Sequence, residues 1–520
     1  SASNPRTMHS EYTVYKRRWY VLGVFSYTSF MQCLVWGTFS QVPQPAGEYY
    51  GLQGANGEAC TGHCAQVTDL LLMWGPIIFL PVLPLSSMLL MRRNGLQTTV
   101  RLATLLVACG GVLRTLPSLL CHGSTIKEHP WFVLGALHLG QILNAAAGPL
   151  VMSPVSKLSE DWFPDTQRTT ATAVASVANG VGATAGFWLG PAVVTSPGDT
   201  PTLLYLEAGL ALFGLVLVAC YFPNRPPTPP SFAATTVVKL GADQVRKDTS
   251  VGFGVDGMGE EDEDEQTAQR RPFLDQGVES GDVGTAQGGA KEYITQLRKL
   301  AGNGSFVLLM CSGGLLAGVN SAYTGVLQNT LDPVLAPAQG KHQAQVDIGY
   351  IDFGNGLAAC IGGFAIGPIV DRYFPRSQKA VISVCFLLMV ILYSTLAVLL
   401  PIAGHDAPVS ISHHARPYVL GALFAVAGLV QGAQAPLFYE LGVELTYPTS
   451  PSSSAGVLVF LFNAGALVVL GVAPAIDPTW MTLVYVLATI CCFAMVVPIR
   501  ERYLRRDAEE QGARPADESQ

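Results

Sequence analysis

From Trp19 almost to Arg500 the chain returns repeatedly to apolar runs long enough to cross a bilayer, and this repetition limits its fold more than any other feature. Spanning the hydrocarbon core takes about 20 mainly apolar residues. The composition agrees: 49% of residues are hydrophobic and 13% charged, roughly half the charged share of an ordinary soluble domain. Such an apolar surplus needs lipid as its solvent. The expected fold class is therefore an all-α membrane protein.

The formal charge of -7 comes in good part from Glu260 to Glu265 and from Asp507, Glu509, Glu510, Asp517 and Glu518. These are solvated stretches that carry no information about a substrate. The eleven cysteines are scattered, many of them inside apolar runs, where a buried thiol behaves as a small hydrophobe. The first run follows Lys16, Arg17 and Arg18 and is too long for a cleavable signal, so it reads as the first helix.

Apolar runs between charged or Pro/Gly-rich breaks predict six helices near Trp19–Val42, Val67–Met91, Leu96–Leu120, Trp131–Ser153, Arg168–Val194 and Thr202–Phe222. Six more follow near Ser305–Thr330, Asp347–Val370, Ala380–Pro401, Pro417–Tyr439, Ala455–Pro474 and Thr479–Pro498. Between them lies a proline-led, polar and acidic stretch that cannot bury a core, and it is expected to be largely disordered. The organisation read here is a tail (1–18), a six-helix half (19–222), a central loop (223–303), a second six-helix half (304–499) and a second tail (500–520). Two six-helix halves joined by a long polar loop resemble the major facilitator fold, which binds its solute between the halves near mid-membrane. Lys and Arg concentrate on one side: Lys16 to Arg18, Arg92, Arg93, Lys157, Arg168, Arg372, Arg376, Lys379 and Arg500 to Arg506. The opposite short loops hold Lys127 and Lys341, with Arg416 at a helix edge. Retained cytoplasmic loops are enriched in these residues, so both termini and the central loop are expected in the cytoplasm.

Gly363-Phe-Ala-Ile-Gly367-Pro-Ile-Val-Asp371-Arg372 places small residues four apart and then an acid and a base at a helix end. Small residues let helices approach closely, and the acid can pair with a base or cap a neighbouring helix. The segment resembles the major facilitator signature after helix 8 and assigns Asp371 and Arg372 to gating. Its counterpart after helix 2, Met91 to Leu96, keeps bases and a glycine and lacks the acid.

Longer strings carry a narrower resemblance. Tyr15-Lys-Arg-Arg-Trp19, Gln32-Cys-Leu-Val-Trp36, Trp74-Gly-Pro76 with Phe79-Leu-Pro81, His138-Leu-Gly-Gln141-Ile-Leu-Asn144, Gly148-Pro149, Ala171 to Val174, Gly190-Pro191 and Tyr439 to Pro448 look like solute carrier family 49. The chain is most similar to the lysosomal branch named for disruption in renal carcinoma, and less so to the branch named for feline leukaemia virus subgroup C receptors. The resemblance implies a facilitator of small organic metabolites. The first branch implies pyridoxine carried with protons; the second implies choline and other amines, or haem. Asn179-Gly180 stands where the receptor branch has Asn-Gln, which removes one amide from a choline-like site.

Trp36 and Tyr323 lie midway along helices 1 and 7, match aromatic positions that the receptor branch uses around a quaternary amine, and offer stacking or cation–π contact worth about 0.5–2 kcal/mol per ring. Plain helix packing is the alternative. Gln141 with Asn144 and Gln431 with Gln434 are pairs one turn apart, and with Asn463 they complete the expected solute-binding set, since amides in lipid must face protein or water. Ionisable groups inside a membrane cost about 2.5–3.5 kcal/mol on insertion scales. His138, Glu207 and Glu440 are accordingly the proton-coupling candidates, each with a structural alternative. Glu440 and Glu444 share one helix face, which favours a proton on one of them; Glu444 reads equally as a paired acid at the helix end. His138 has the ordinary pKa, about 6.5, to sense an acidic lumen. Glu207 lies near the non-cytoplasmic face, where it can take up protons or equally be satisfied by Tyr205 and Thr202 as an edge residue.

No phosphate-cradling loop, metal-ligand set or catalytic triad stands out, so no enzyme, cofactor or metal is expected, and no nucleic acid. Cys60-Thr-Gly-His63-Cys64 has the wrong order for haem attachment, and the Asn303 sequon lies on the side where it is not glycosylated. The partners expected are a small-molecule solute, the proton and the lipid bilayer. The favoured reading is proton-coupled pyridoxine export from lysosomes by alternating access. Its alternatives are a proton-independent choline, amine or haem transporter, and a membrane nutrient sensor that binds without transport. The resemblance places the chain in the lysosomal membrane, with the plasma membrane as alternative. No acidic dileucine signal precedes Lys16, and the opening at Ser1 suggests a fragmentary start.

Overall fold

A computed structural model describes residues 13–51, 63–92, 94–121, 130–230, 286–401, 412, 414–472 and 476–513. The acidic run at 260–265, most of the central loop and the far C-terminal acids lie outside the described residues, as do Cys60 and the loop that holds it.

The first half is built from α1 (Arg18–Gln41), a short α2 (Pro43–Tyr49), α3 (His63–Leu90), α4 (Gly95–Leu120), α5 (Pro130–Met152), the short α6 (Val155–Trp162), α7 (Arg168–Val193) and α8 (Thr200–Cys220). An amphipathic α9 (Ala286–Ala301) leads into the second half: α10 (Gly304–Gln339), α11 (Lys341–Tyr373), α12 (Gln378–Leu399), α13 (Arg416–Thr446), α14 (Pro451–Val472) and α15 (Met481–Val496). A last helix, α16 (Leu504–Ala513), follows. All twelve expected helices are present. Among the described residues nine helices are both long and apolar enough to cross a membrane. The sixteen-residue α15 is too short for that criterion, and α1 and α7 are diluted by Gly, Ser, Thr and Gln. The dilution has a use, because small and hydroxylated residues let these helices pack closely on neighbours.

Several helices outrun their apolar runs. α10 continues past Thr330 to Gln339, α11 starts at Lys341 and α13 continues past Tyr439 to Thr446. Hydropathy marks the apolar run alone, whereas the backbone ladder continues past it, on α13 into the buried Glu440, Glu444 and Thr446.

Within the first half α1 packs on α7 and α5, and α4 on α5 and α8; within the second, α10 packs on α14 and α15, and α11 on α13. The halves meet along two seams, α7 against α11 and α3 against α14. The best-defined contacts lie toward the end that carries the start of α1 and the end of α15, called here the terminal face. Gly367 shows why glycine is needed at the first seam: a Cβ there would lie 2.7 Å from Thr170 Cα and 2.9 Å from Ala173 Cβ. At the second seam a Cβ on Gly456 would stand 2.6 Å from Ser87 Oγ and 3.7 Å from Ser87 Cβ.

Candidate functional site: the seam between the halves

At the terminal face polar side chains tie the halves together. Asp371, at the end of α11, accepts hydrogen bonds from the backbone N–H of Thr169 (3.3 Å) and Thr170 (2.8 Å) and from the Thr170 hydroxyl (2.7 Å). A carboxylate from one half thus caps the first turn of α7 in the other, where the helix dipole favours negative charge. Its sequence neighbour Arg372 joins no such contact; its guanidinium lies 5.7 Å from the ring of Tyr373. Of the two expected gating residues, the structure brings only the acid to the seam.

One turn deeper, the Thr172 hydroxyl of α7 donates to Glu440 of α13. Glu440 and Glu444 do share a face, as their spacing predicts, and a base that the sequence did not suggest sits between them. Arg505 of α16 donates 2.8 Å hydrogen bonds to Glu440 and Glu444 and a further one of 3.0 Å through Nε to Glu444. The guanidinium is fully buried. Burial alone would lower its pKa, but Glu444, Glu440 and Glu160 together raise it well above the ordinary value. Arg506 adds a contact of 3.6 Å to Glu444 and one of 3.8 Å to Asp165 of the first half. The C-terminal helix therefore plugs the seam between α7 and α13. The other seam is strapped by α9, which packs on α3 and α14 and accepts a 2.5 Å hydrogen bond at Gln296 from Ser453 of α14.

Beside Arg505 lies Glu160 of α6, which is 2% exposed. Burial pushes its carboxyl up to about 7, against the pull of Arg505 and Arg168.

The remaining expected residues lie inside one half or the other. Gln141 donates to the Trp36 carbonyl (2.9 Å) and accepts from Arg114 (3.3 Å). Asn144 donates to the Gln32 carbonyl (3.0 Å). Both amides are fully buried and stitch α5 to α1. Trp36 is half-buried, and a Cβ on Gly75 would run into its indole, so this ring rests on the glycine of Trp74-Gly75-Pro76.

Tyr323 lies on α10. Its ring is buried in an aromatic cluster of the second half, 5.5 Å from Tyr393, 5.4 Å from Tyr485 and 6.1 Å from Phe424, and its hydroxyl lies 3.1 Å from that of Thr482 on α15. In the same stretch the Ser321 hydroxyl donates to the Ala317 carbonyl one turn back (2.9 Å). Glu207 is fully buried, which rules out the edge-residue alternative, and its carboxylate accepts from Arg114 (2.8 Å) and from Thr38 (2.7 and 2.9 Å). Arg114 also donates 2.7 Å to the Val35 carbonyl. His138 is half-buried and accepts at Nδ1 from the Trp74 indole N–H (3.0 Å), which leaves its proton on Nε2 while neutral. Gln434 is buried with neither amide atom bonded to a described residue, and Gln431 likewise leaves its carbonyl oxygen unpaired. Asn463 bonds only within its own helix, to the Val459 carbonyl (2.9 Å). A cleft of about 460 Å³ lined by Asp347, Tyr350, Ile351, Pro417, Tyr418 and Gly421 contains none of the expected residues.

The arrangement is two helical halves joined at one end by breakable polar contacts. The family model of the Major Facilitator Superfamily matches residues 65–468. The chain belongs to that superfamily. Its fold agrees with the solved structure of a double-tryptophan mutant of XylE, at a TM-score of 0.62 and 12% identity, over 96% of this chain and all of that one. Among curated relatives, the solute carrier family 49 member 4 homolog of Xenopus tropicalis is 28% identical, over 86% of this chain and 83% of the relative. The human choline/ethanolamine transporter FLVCR2 is 24% identical, over 86% of this chain and 69% of the relative. The resemblance to solute carrier family 49 read from the motifs is thus borne out by these relatives. As a member of this superfamily the chain is a multi-pass membrane transporter, not an enzyme.

Proposed function

We propose that this chain moves pyridoxine together with protons by alternating access across the lysosomal membrane, its terminal face toward the cytosol. The observation that carries alternating access is the seam itself. Asp371 on the α7 terminus, Thr172 on Glu440 and Arg505 between the two glutamates close one end with polar contacts that water can replace. Pyridoxine, the lysosome and the proton rest on the motif resemblance to the lysosomal branch of solute carrier family 49; the cytosolic terminal face rests on the Lys and Arg bias.

In this reading Trp36 is the aromatic contact for the solute, with Asn463, Gln431 and Gln434 as polar partners. Gln141 and Asn144 hold α5 and α1 around it. Asp371 is the gate residue, and Glu440 is held by Arg505 until the seam opens. Replacing Trp36 by Ala should weaken apparent solute affinity at least tenfold, since about 0.5–2 kcal/mol of ring contact is lost together with packing. Unchanged affinity with normal expression would remove Trp36 from the site.

Proton-independent transport of choline or ethanolamine is the second reading, favoured by the names of the more distant relatives. Uptake of labelled pyridoxine and choline into cells displaying the protein at their surface, with external pH stepped from about 7.5 to 5.5, separates the two. Acid-stimulated pyridoxine uptake supports the first, pH-indifferent choline uptake the second, and binding without uptake of either supports a sensor.

A further inference from the structure

Three carboxylates converge on one guanidinium at the terminal face, and only two of them hold it. Arg505 is committed at 2.8 Å to Glu440 and Glu444. Glu160, which also faces it, makes no hydrogen bond or ion pair to any described residue, and its Oε1 is buried without a partner. Leaving an ionised carboxylate buried and unbonded costs several kcal/mol, and such a group ordinarily neutralises instead.

Part of what surrounds Glu160 belongs to the other half. α6, which carries it, packs against α7 of its own half and against α13 and α14 of the other, and Arg505 arrives on α16. The charged groups around it are Asp161 and Lys157 on its own helix, Arg168 at the start of α7, and Arg505 on α16. Glu440 and Glu444 on α13 lie behind Arg505. Arg225 and Arg506 are turned to Asp161 and to Glu444 with Asp165 respectively. α14 contributes no titratable residue. The two basic groups that act most strongly on Glu160 offset only part of its burial.

We propose that Glu160 is a proton-binding latch residue that ties the terminal face to the pH of the compartment it faces. Closing the seam buries Glu160 as the neutral acid. Opening returns it to water, where it ionises and releases its proton to that side. The sign follows from linkage: the closed state binds the extra proton, so closure is favoured at low pH and lost as pH rises. With a closed-state value of about 7 and an ordinary value of 4.5 in the open state, the open-to-closed ratio should rise about 20-fold between about pH 5.5 and 7.5. The inference rests on the reading of this face as a gate, and it adds a residue outside His138, Glu207 and Glu440.

The test is the distance between spin labels on the full chain in lipid nanodiscs, at Arg92 in the first half and Tyr373 in the second, both exposed at the terminal face. The expected result is a long-distance population that grows as pH rises from the ordinary value of 4.5 to about 7 and levels off above it. It should stay suppressed at every pH in Glu160→Gln and keep its pH dependence in Glu160→Asp, which retains an ionisable group. A long-distance population that ignores pH overturns the latch while leaving the gate intact. Persistence of the full pH shift in Glu160→Gln assigns the proton elsewhere and also overturns it. A single short distance at every pH, with pyridoxine or choline added, overturns gate and latch together. Melting of each variant by tryptophan fluorescence establishes that it is folded; if Glu160→Gln fails this, Glu160→Ala, which also cannot ionise, must suppress the long-distance population in its place, and an unchanged pH shift there overturns the latch.

Discussion

Replacing Glu207 by Gln would leave Arg114 charged, fully buried and short of its carboxylate. Arg114 has four acceptors: the Val35 carbonyl at 2.7 Å, Glu207 at 2.8 Å, and Thr38 and Gln141 at 3.3 Å each. The substitution keeps a carbonyl for Arg114 and Thr38 to meet but removes the charge that balances the guanidinium. Breaking a buried pair by removing one partner costs about 3–5 kcal/mol in soluble proteins. Within a membrane the unfolded reference finds other partners, so roughly 2–4 kcal/mol is expected here. Replacing both residues together, Arg114→Leu with Glu207→Leu, should cost less than Glu207→Gln alone, because no uncompensated charge remains. Thermal unfolding of the purified protein in one fixed detergent, read by tryptophan fluorescence for each corner of the cycle, measures the coupling. The reasoning is refuted if Glu207→Gln melts with the parent protein. If that variant also loses acid stimulation of uptake, Glu207 is a proton carrier and its pairing with Arg114 is incidental.

Tyr323→Phe removes only the hydroxyl contact with Thr482, so the melting temperature should fall slightly, by about 0.5–1.5 kcal/mol of stability, with solute affinity unchanged; a tenfold loss of affinity in an uptake assay would return Tyr323 to the binding site. Gly367→Val would drive its side chain into Thr170 and Ala173, which stand 2.7–2.9 Å from a Cβ at that position. The seam should then fail to close, and spin labels at Arg92 and Tyr373 should report the long distance at every pH.

The helical framework was legible because lipid demands it. Each apolar run from Trp19 to Val496 became a helix, and the two runs that failed the apolar criterion, α1 and α7, were still recognisable by their breaks. Asp371 was legible too, since an acid after Gly363 and Gly367 at a helix end has few uses other than capping a neighbour. The functional side chains were read less well for a physical reason. A polar residue in a spanning helix signals that it faces something other than lipid, and the sequence does not say whether that is a cavity or the next helix. Gln141, Asn144 and Tyr323 faced the next helix. Glu207 was singled out without its partner because only acids and histidine were weighed as intramembrane charges. Arg114 sits inside the apolar run Leu96–Leu120 and was visible by the same rule; Asp352 of α11, half-buried, was missed likewise. Arg505 and Glu160 had no such signal, being charged residues in segments that read as solvated and that tertiary packing covers.

The central claim is that the terminal face must open and close for the solute to cross. Ser87 and Gly456 face each other across the α3–α14 seam, and a Cβ on Gly456 would lie 3.7 Å from that of Ser87, close to the spacing of about 3.8 Å that a disulfide needs. With the native cysteines replaced, uptake of labelled pyridoxine and choline by the Ser87→Cys, Gly456→Cys double variant should be measured before oxidation, after it, and after reduction. The account predicts that uptake stops once the bond forms and returns when it is reduced. Undiminished uptake by fully cross-linked protein would show that the halves need not part here, and would contradict alternating access through this seam.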